Sequence, residues 1–374
     1  MKRVVEGSYA VAEAVKLCEP KVIAAYPITP QTHIVEELAK MIANGELDSE
    51  MIRVESEHSA LSACVGAQAL GVRSYTATSS QGLALMHEIL FVASGMRLPI
   101  VMNIVNRTLS SPINIWNDQQ DSFSARDSGW MQFYVESAQE VFDTTIQAFK
   151  IAEEINLPAM VCMDGYILSH TFEPVKFLNK EEVKKFLPDY EPKIFLNPNK
   201  PMSQGPLGTP EHFMEFKKQQ QEAMEKAKEI IKRVNREFAS LSGRNYGNGL
   251  IETFNMENSE YALITLGSVV GTARALLEKE NMGLIKLKTL RPFPLDEIIK
   301  ACENVRALGV LEKDVSLGYN GALYDEIRSA LYSLGSRPKV LGFIAGLGGK
   351  DITLNDMEMI MKKIKSEREE VKWI

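Results

Sequence analysis

Arg53-Val-Glu-Ser-Glu57-His58-Ser-Ala-Leu-Ser-Ala-Cys-Val-Gly-Ala67 is the stretch whose reading decides the fold. A short apolar strand runs into a helix of small residues, and Glu57 stands at the turn between them. At the first turn of a helix its charge is favoured by the dipole. The Ala, Ser and Gly that follow leave room for another backbone or a flat ring to approach. Taken alone, a Ser-Glu pair at a helix start is more often structural than chemical. Its company in the sequence changes that balance.

Three other stretches of the first half have the same form of apolar strand, polar turn and helix. They are Val22-Ile-Ala-Ala-Tyr26-Pro27-Ile28-Thr29-Pro30, Tyr75-Thr-Ala-Thr78-Ser-Ser80-Gln81-Gly82, and Ile100-Val-Met-Asn-Ile-Val-Asn106-Arg107. In an open parallel sheet the carboxyl ends of the strands converge on one crevice, so Thr29, Glu57, Gln81 and Arg107 are expected to face a common space. Arg107 at a strand end suits bidentate grip on a carboxylate; the alternative is a structural ion pair with Asp118 or Asp121. Thr29 lies between two prolines that stiffen its turn, with Pro30 expected to start the next helix.

With 374 residues, 45% apolar and 24% charged, the chain has ordinary globular composition and the length of two domains. A net charge of −7, with no cluster of Lys and Arg interleaved with aromatics, argues against nucleic acid as a partner. The basic start is followed by no apolar stretch, and no window approaches a membrane span, so the chain reads as cytoplasmic. Cys18, Cys64, Cys162 and Cys302 lie far apart, each in an apolar context, and read as reduced core residues without metal or redox spacing.

Working outward, residues 7–18 carry a helical apolar period that Pro20 stops. A helix is expected from the Ser-Ser-Gln-Gly turn to residue 96. The long segment after Arg107, to about residue 130, is too rich in Trp to be disordered and has the length of a functional loop. Ser137 and Glu140 form a capping box for a helix to about residue 156, and 158–163 is the closing strand of a parallel sheet. From residue 170 a Pro-rich excursion leads to one long helix, capped by Thr209 with Pro210 first, ending at Gly243. The polar segment 245–259 divides the chain. Residues 1–248 make the first domain and 249–374 a second, shorter α/β series with strands at 261–266, 283–287, 306–312 and 339–344.

The chain resembles the alpha subunits of 2-oxoacid:ferredoxin oxidoreductases, most closely those of the four-subunit pyruvate enzymes, nearly end to end. The resemblance rests on Tyr26-Pro-Ile-Thr-Pro30, Glu55-Ser-Glu57-His58, Thr78-Ser-Ser-Gln-Gly82, Val105-Asn-Arg107 and Asp118-Gln-Gln-Asp121. In the second half it rests on Leu287-Lys-Thr-Leu-Arg-Pro-Phe-Pro294 and Gly348-Gly-Lys-Asp351. It implies a pyrimidine-binding domain of the thiamine diphosphate enzymes followed by a domain of the transketolase C-terminal type.

In such enzymes a carboxyl group hydrogen-bonded to the aminopyrimidine drives the tautomer that deprotonates the cofactor, and the carbanion attacks the 2-oxo carbon. The resemblance gives that carboxyl role to Glu57, the substrate's carboxylate and oxo group to Arg107 and Thr29, and places near the cofactor Pro27, Ile28, Gln81 and Gly82. Carbon dioxide leaves, electrons pass singly to iron-sulfur clusters, and coenzyme A takes the acyl group. Gly-Asp-Gly, the diphosphate and magnesium motif, is missing apart from the fragment Met163-Asp164-Gly165. Magnesium and [4Fe-4S] clusters are therefore expected on partner subunits, a beta subunit sharing the thiamine diphosphate and gamma and delta subunits completing the assembly with ferredoxin as acceptor. No metal ligands are expected here. Competing readings are a 2-oxoisovalerate enzyme of the same family, the beta subunit of a 2-oxoacid dehydrogenase, and a non-catalytic scaffold. A single cation, Arg107, suits a monocarboxylate substrate better than 2-oxoglutarate.

Overall fold

The computed structural model describes residues 1–257, 259–334, 337–366 and 370–374; residue 258 of the polar dividing segment lies outside them. In chain order the first half contains β1 (Lys2–Glu6), α1 (Gly7–Cys18), β2 (Val22–Ala25), α2 (Thr32–Ala43), β3 (Glu50–Arg53), α3 (Glu57–Ala69) and β4 (Ser74–Thr78). It continues with α4 (Ser80–Leu85), α5 (His87–Gly95), β5 (Val101–Asn106), α6 (Gln120–Ser124), β6 (Met131–Tyr134), α7 (Ala138–Ile155) and β7 (Ala159–Asp164). After these come β8 (Phe172–Lys176), α8 (Lys180–Phe186) and α9 (Pro210–Ser242). The second half runs through β9 (Ile251–Phe254), β10 (Tyr261–Thr265), α10 (Val269–Arg274), α11 (Leu277–Glu280), β11 (Gly283–Leu287), β12 (Thr289–Arg291) and α12 (Leu295–Cys302). It closes with β13 (Ala307–Glu312), α13 (Ala322–Leu331), β14 (Lys339–Ile344), α14 (Leu354–Lys365) and β15 (Val371–Trp373).

Two mostly parallel α/β sheets result. The first has the order β12-β6-β7-β5-β4-β2-β3, and the second β15-β14-β13-β10-β11-β9. Strands β4, β5 and β7 are buried at every residue, as expected of strands covered on both faces by helices. Parallel register keeps the strand ends nearly level: Ala25 lies opposite Arg53, Thr78 opposite Ile104, and Asn106 opposite Asp164. The turns that follow β2, β3, β4 and β5 therefore emerge on one edge.

Several expectations are corrected. Pro30 does not start α2; the helix begins at Thr32 after Gln31, whose buried amide donates to the Ala77 carbonyl at 3.0 Å. The helix after the Ser-Ser-Gln-Gly turn breaks at Met86 into α4 and α5. Thr209 makes no side-chain cap; its hydroxyl pairs with His212 Nδ1 at 3.0 Å. The Pro-rich excursion holds α8 and β8, and β8 pairs antiparallel with β1.

Ser137 does cap α7, but the Glu140 carboxylate closes no box with it. It lies fully buried between Lys288 Nζ at 2.7 Å and Lys286 Nζ at 2.9 Å. Those lysines belong to the second half, and the next residues, β12, add an antiparallel strand to β6 of the first sheet. Burying Glu140 is tolerable only because two cations and the Glu136 main-chain N–H meet it there. The four cysteines are free and buried. No helix among the described residues is long and apolar enough to cross a membrane.

Candidate active site

Glu57 opens α3, and Ser56 before it caps the helix by accepting the Ser59 N–H. The extended Ser56 turns the chain so that the Glu57 side chain points back across the strand ends toward the turn after β4. There it lies against Gly82. A Cβ built on Gly82 would fall 2.7 Å from Glu57 Oε1, 2.8 Å from Glu57 Cγ and 2.3 Å from Thr78 Oγ1, so only glycine fits. Glu57 is 7% exposed, yet its carboxylate takes no hydrogen bond from any described residue. Thr78 Oγ1 beside it is fully buried and also without a partner. The hydrogen-bonding capacity of this largely buried carboxylate is left open to a ligand.

Arg107, 8% exposed, follows β5. Its Nη1 donates to the Thr29 carbonyl at 2.9 Å and its Nε to the Asn114 carbonyl at 3.2 Å. The ion pair with Asp118 or Asp121 does not form. Asp121 instead accepts the main-chain N–H of Arg107, and among the described residues no carboxylate faces the guanidinium. Thr29 is itself exposed. The two residues meet as expected, through the backbone of one and the side chain of the other.

Pro27 is exposed and Ile28 half-buried in the same turn, where the Gln31 N–H donates to the Ile28 carbonyl at 2.8 Å. The Gln81 side chain is half-buried and within hydrogen-bond distance, 2.5 Å, of Ser80 Oγ. The structure thus forms two joined pairs, Glu57 with Gly82 and Arg107 with Thr29, on one edge of the sheet. No hydrogen bond among the described residues joins one pair directly to the other.

The loop after Arg107 is held by the second half. Asn114 Nδ2 donates to the Gly348 carbonyl at 3.1 Å, and the Gly349 N–H to the Asn117 carbonyl at 2.7 Å. A Cβ on Gly349 would lie 2.4 Å from Cβ of Trp116, which accounts for the second glycine of that turn. Asp164, in the fragment that resembles a diphosphate motif, is already engaged. Its carboxylate accepts from Gln119 Nε2 at 3.0 Å, the Ser268 N–H at 3.0 Å and Lys313 Nζ at 2.9 Å. It fastens the first sheet to the second. Gln31 and Asn114 were not singled out from sequence. A glutamine after a proline turn or an asparagine in a long loop carries no local signal, and only the contacts reveal their work.

Residues 13–236 match the family described as "Pyruvate flavodoxin/ferredoxin oxidoreductase, thiamine diP-bdg", and residues 259–357 match "Pyruvate:ferredoxin oxidoreductase core domain II". Among curated relatives the chain is similar to pyruvate synthase subunit PorA of Methanocaldococcus jannaschii, 52% identical, over 100% of this chain and 97% of that one. It is similar to the same subunit of Pyrococcus furiosus at 47% identity, covering 100% and 98%. It is similar also to ketoisovalerate oxidoreductase subunit VorA of Pyrococcus abyssi at 46%, covering 100% and 97%. Among solved structures it shares its fold with a 2-oxoglutarate:ferredoxin oxidoreductase from Magnetococcus marinus, with TM-score 0.74 and 21% identity. That alignment covers 98% of this chain and 65% of the other, so the chain spans about two thirds of that structure's length. A split-gene transketolase aligns with TM-score 0.59 and 12% identity over 97% and 99% of the two chains.

Proposed function

The chain belongs to the pyruvate:ferredoxin oxidoreductase family, and on that premise we propose that it is the alpha-type subunit of a pyruvate synthase. The reaction is the reversible oxidative decarboxylation of pyruvate with coenzyme A to acetyl-CoA, carbon dioxide and reduced ferredoxin. The observation that carries this reading is the Glu57 carboxylate, buried, without a donor among the described residues, and lying over a glycine that admits no side chain.

Those residues fit an aminopyrimidine. Glu57 would hold the ring nitrogen through a hydrogen bond strengthened by exclusion of water, and Gly82, Gln81, Pro27 and Ile28 would border the ring. Thiamine diphosphate bound there supplies a nucleophilic carbon for the 2-oxo group. Arg107 grips the substrate carboxylate with N–H groups that Thr29 and Asn114 leave free, and the exposed Thr29 hydroxyl donates to the oxo oxygen. Burial of Glu57 would keep water from competing for that hydrogen bond. Magnesium, the diphosphate grip, [4Fe-4S] clusters and the coenzyme A site fall to beta, gamma and delta partners. The four dispersed, buried cysteines and the engaged Asp164 support that division. Higher identity to the PorA relatives than to VorA supports pyruvate over a branched-chain 2-oxoacid.

The test is Glu57→Gln in the assembled complex. Turnover of pyruvate should fall by ~10²-fold or more, the scale of a lost acid-base group, while the subunits still co-purify. Turnover near that of the unmodified complex contradicts the role.

A further inference from the structure

Asp118-Gln-Gln-Asp121 belongs to the resemblance, yet the reaction as described gives it no work. Its last residue is a fully engaged carboxylate beside the site. Asp121 Oδ2 accepts the main-chain N–H of Ser80 at 2.9 Å and that of Arg107 at 3.0 Å. Its Oδ1 accepts Asn106 Nδ2 at 2.7 Å and the Ser122 N–H at 2.8 Å. The residue is 1% exposed, so it meets neither solvent nor substrate.

One oxygen atom thus fastens two turns. Ser80 begins the turn that presents Gly82 beneath Glu57; Arg107 ends the strand that carries the substrate anchor. Ser80 also needs to be held, because its φ of 49° is a left-handed conformation that is strained for a residue with a Cβ. Its hydroxyl is tied to the Thr108 carbonyl, one residue beyond Arg107. A carboxylate satisfies four donors at once, which no neutral side chain of the same size can do.

We propose that Asp121 is a positioning residue that fixes the Glu57–Gly82 half of the site relative to the Arg107–Thr29 half, resting on the roles assigned above to Glu57 and Arg107. It acts through the backbone of Ser80 and Arg107. Asparagine in its place keeps the shape but turns an NH2 group toward one pair of N–H donors, so one set of bonds is lost and the two halves drift. Displacements well under 1 Å between reacting groups are enough to slow turnover markedly.

The test compares Asp121→Asn, Asp121→Asn with Ser80→Gly, and Arg107→Ala, each in the assembled complex. Asp121→Asn should raise KM for pyruvate and lower kcat, each by roughly tenfold. Adding Ser80→Gly should recover kcat, because glycine adopts the left-handed turn unaided, and leave KM raised, because the Arg107 N–H still lacks its acceptor. KM and kcat within twofold of the unmodified complex in Asp121→Asn overturn the positioning role, and so does a Ser80→Gly addition that recovers neither or both. If Arg107→Ala leaves KM unchanged, the substrate role of Arg107 fails first. If Arg107→Ala raises KM and Asp121→Asn does not, only the positioning role fails.

Should Asp121→Asn not assemble, the pH profile of the unmodified complex decides. Burial pushes the Asp121 carboxyl up to about 6 against its four donors. The titratable groups facing it are Asp118, Tyr134, Cys162 and Asp314. Protonation replaces an acceptor by a donor, so KM for pyruvate should rise as pH falls through about 6. A KM that stays constant from pH 7 to about 5 overturns the role.

Discussion

Arg107 Nη1 reaches the main-chain carbonyl of Thr29 across 2.9 Å, joining the end of β5 to the turn after β2 over the top of β4, which lies between them in the sheet. Neutral acceptors orient the guanidinium, so its charge is left for a ligand. The fixed fork suits a carboxylate bidentately, and a lysine offers only a point charge. Arg107→Lys should raise KM for pyruvate by roughly tenfold or more, equal to about 1.4 kcal/mol of binding, with a smaller change in kcat. Steady-state kinetics of the assembled complex checks this, and an unchanged KM contradicts it.

Gly82 has no room for a methyl group. In Gly82→Ala the new carbon meets Thr78 Oγ1 at 2.3 Å and Glu57 Oε1 at 2.7 Å, and the Glu57 side chain is the movable one. Overpacking of this kind costs about 1–3 kcal/mol, and here it falls on the carboxylate that holds the cofactor. Thiamine diphosphate affinity should drop by at least ~10-fold, measured by titration of the apo-complex. Affinity equal to that of the unmodified complex would place the cofactor away from Gly82.

Glu140 makes a stability prediction at the junction of the two sheets. Burial works to raise its carboxyl, but Lys286 and Lys288 together hold it down to about 2, below the ordinary value of 4.5. A folded-state value below the unfolded one adds stability that is complete above pH 4.5 and is lost as pH falls toward 2. Acid unfolding should therefore steepen across that window, and Glu140→Gln should abolish the steepening. At pH 7 the same variant leaves the buried Lys288 without a carboxylate, while Lys286 keeps Glu136 and Glu252, and should lose about 3–5 kcal/mol in denaturant unfolding. A loss below about 1 kcal/mol means Lys288 has found another partner.

Much of the architecture is legible in the sequence because its signals are local. Helix α1 ends where Pro20 and its neighbours stop it, and β4, β11 and β14 fall at the expected residues because their apolar runs are bounded by turns. What escapes is set by distant partners. Strands β1 and β8 exist only because they pair with each other across most of the first half. Strand β12 is three residues ahead of a proline and becomes a strand by pairing with β6 from the other half of the chain.

The site divides the same way. Thr29, Glu57, Gln81 and Arg107 follow strand ends of a parallel sheet, and that topology alone predicts that they lie on one edge of it. Asp121 stands in a loop whose path no periodicity constrains. Its contacts with Ser80 and Arg107 become visible only once α6 places it against both turns.

The most direct measurement is the thiamine and iron content of the complex that co-purifies with this chain under anoxic conditions. Thiamine diphosphate together with iron and acid-labile sulfide is the expected result for a thiamine half-site working beside iron-sulfur subunits. Thiamine without iron would contradict the ferredoxin-linked reaction, and a complex holding neither would contradict the role given to Glu57.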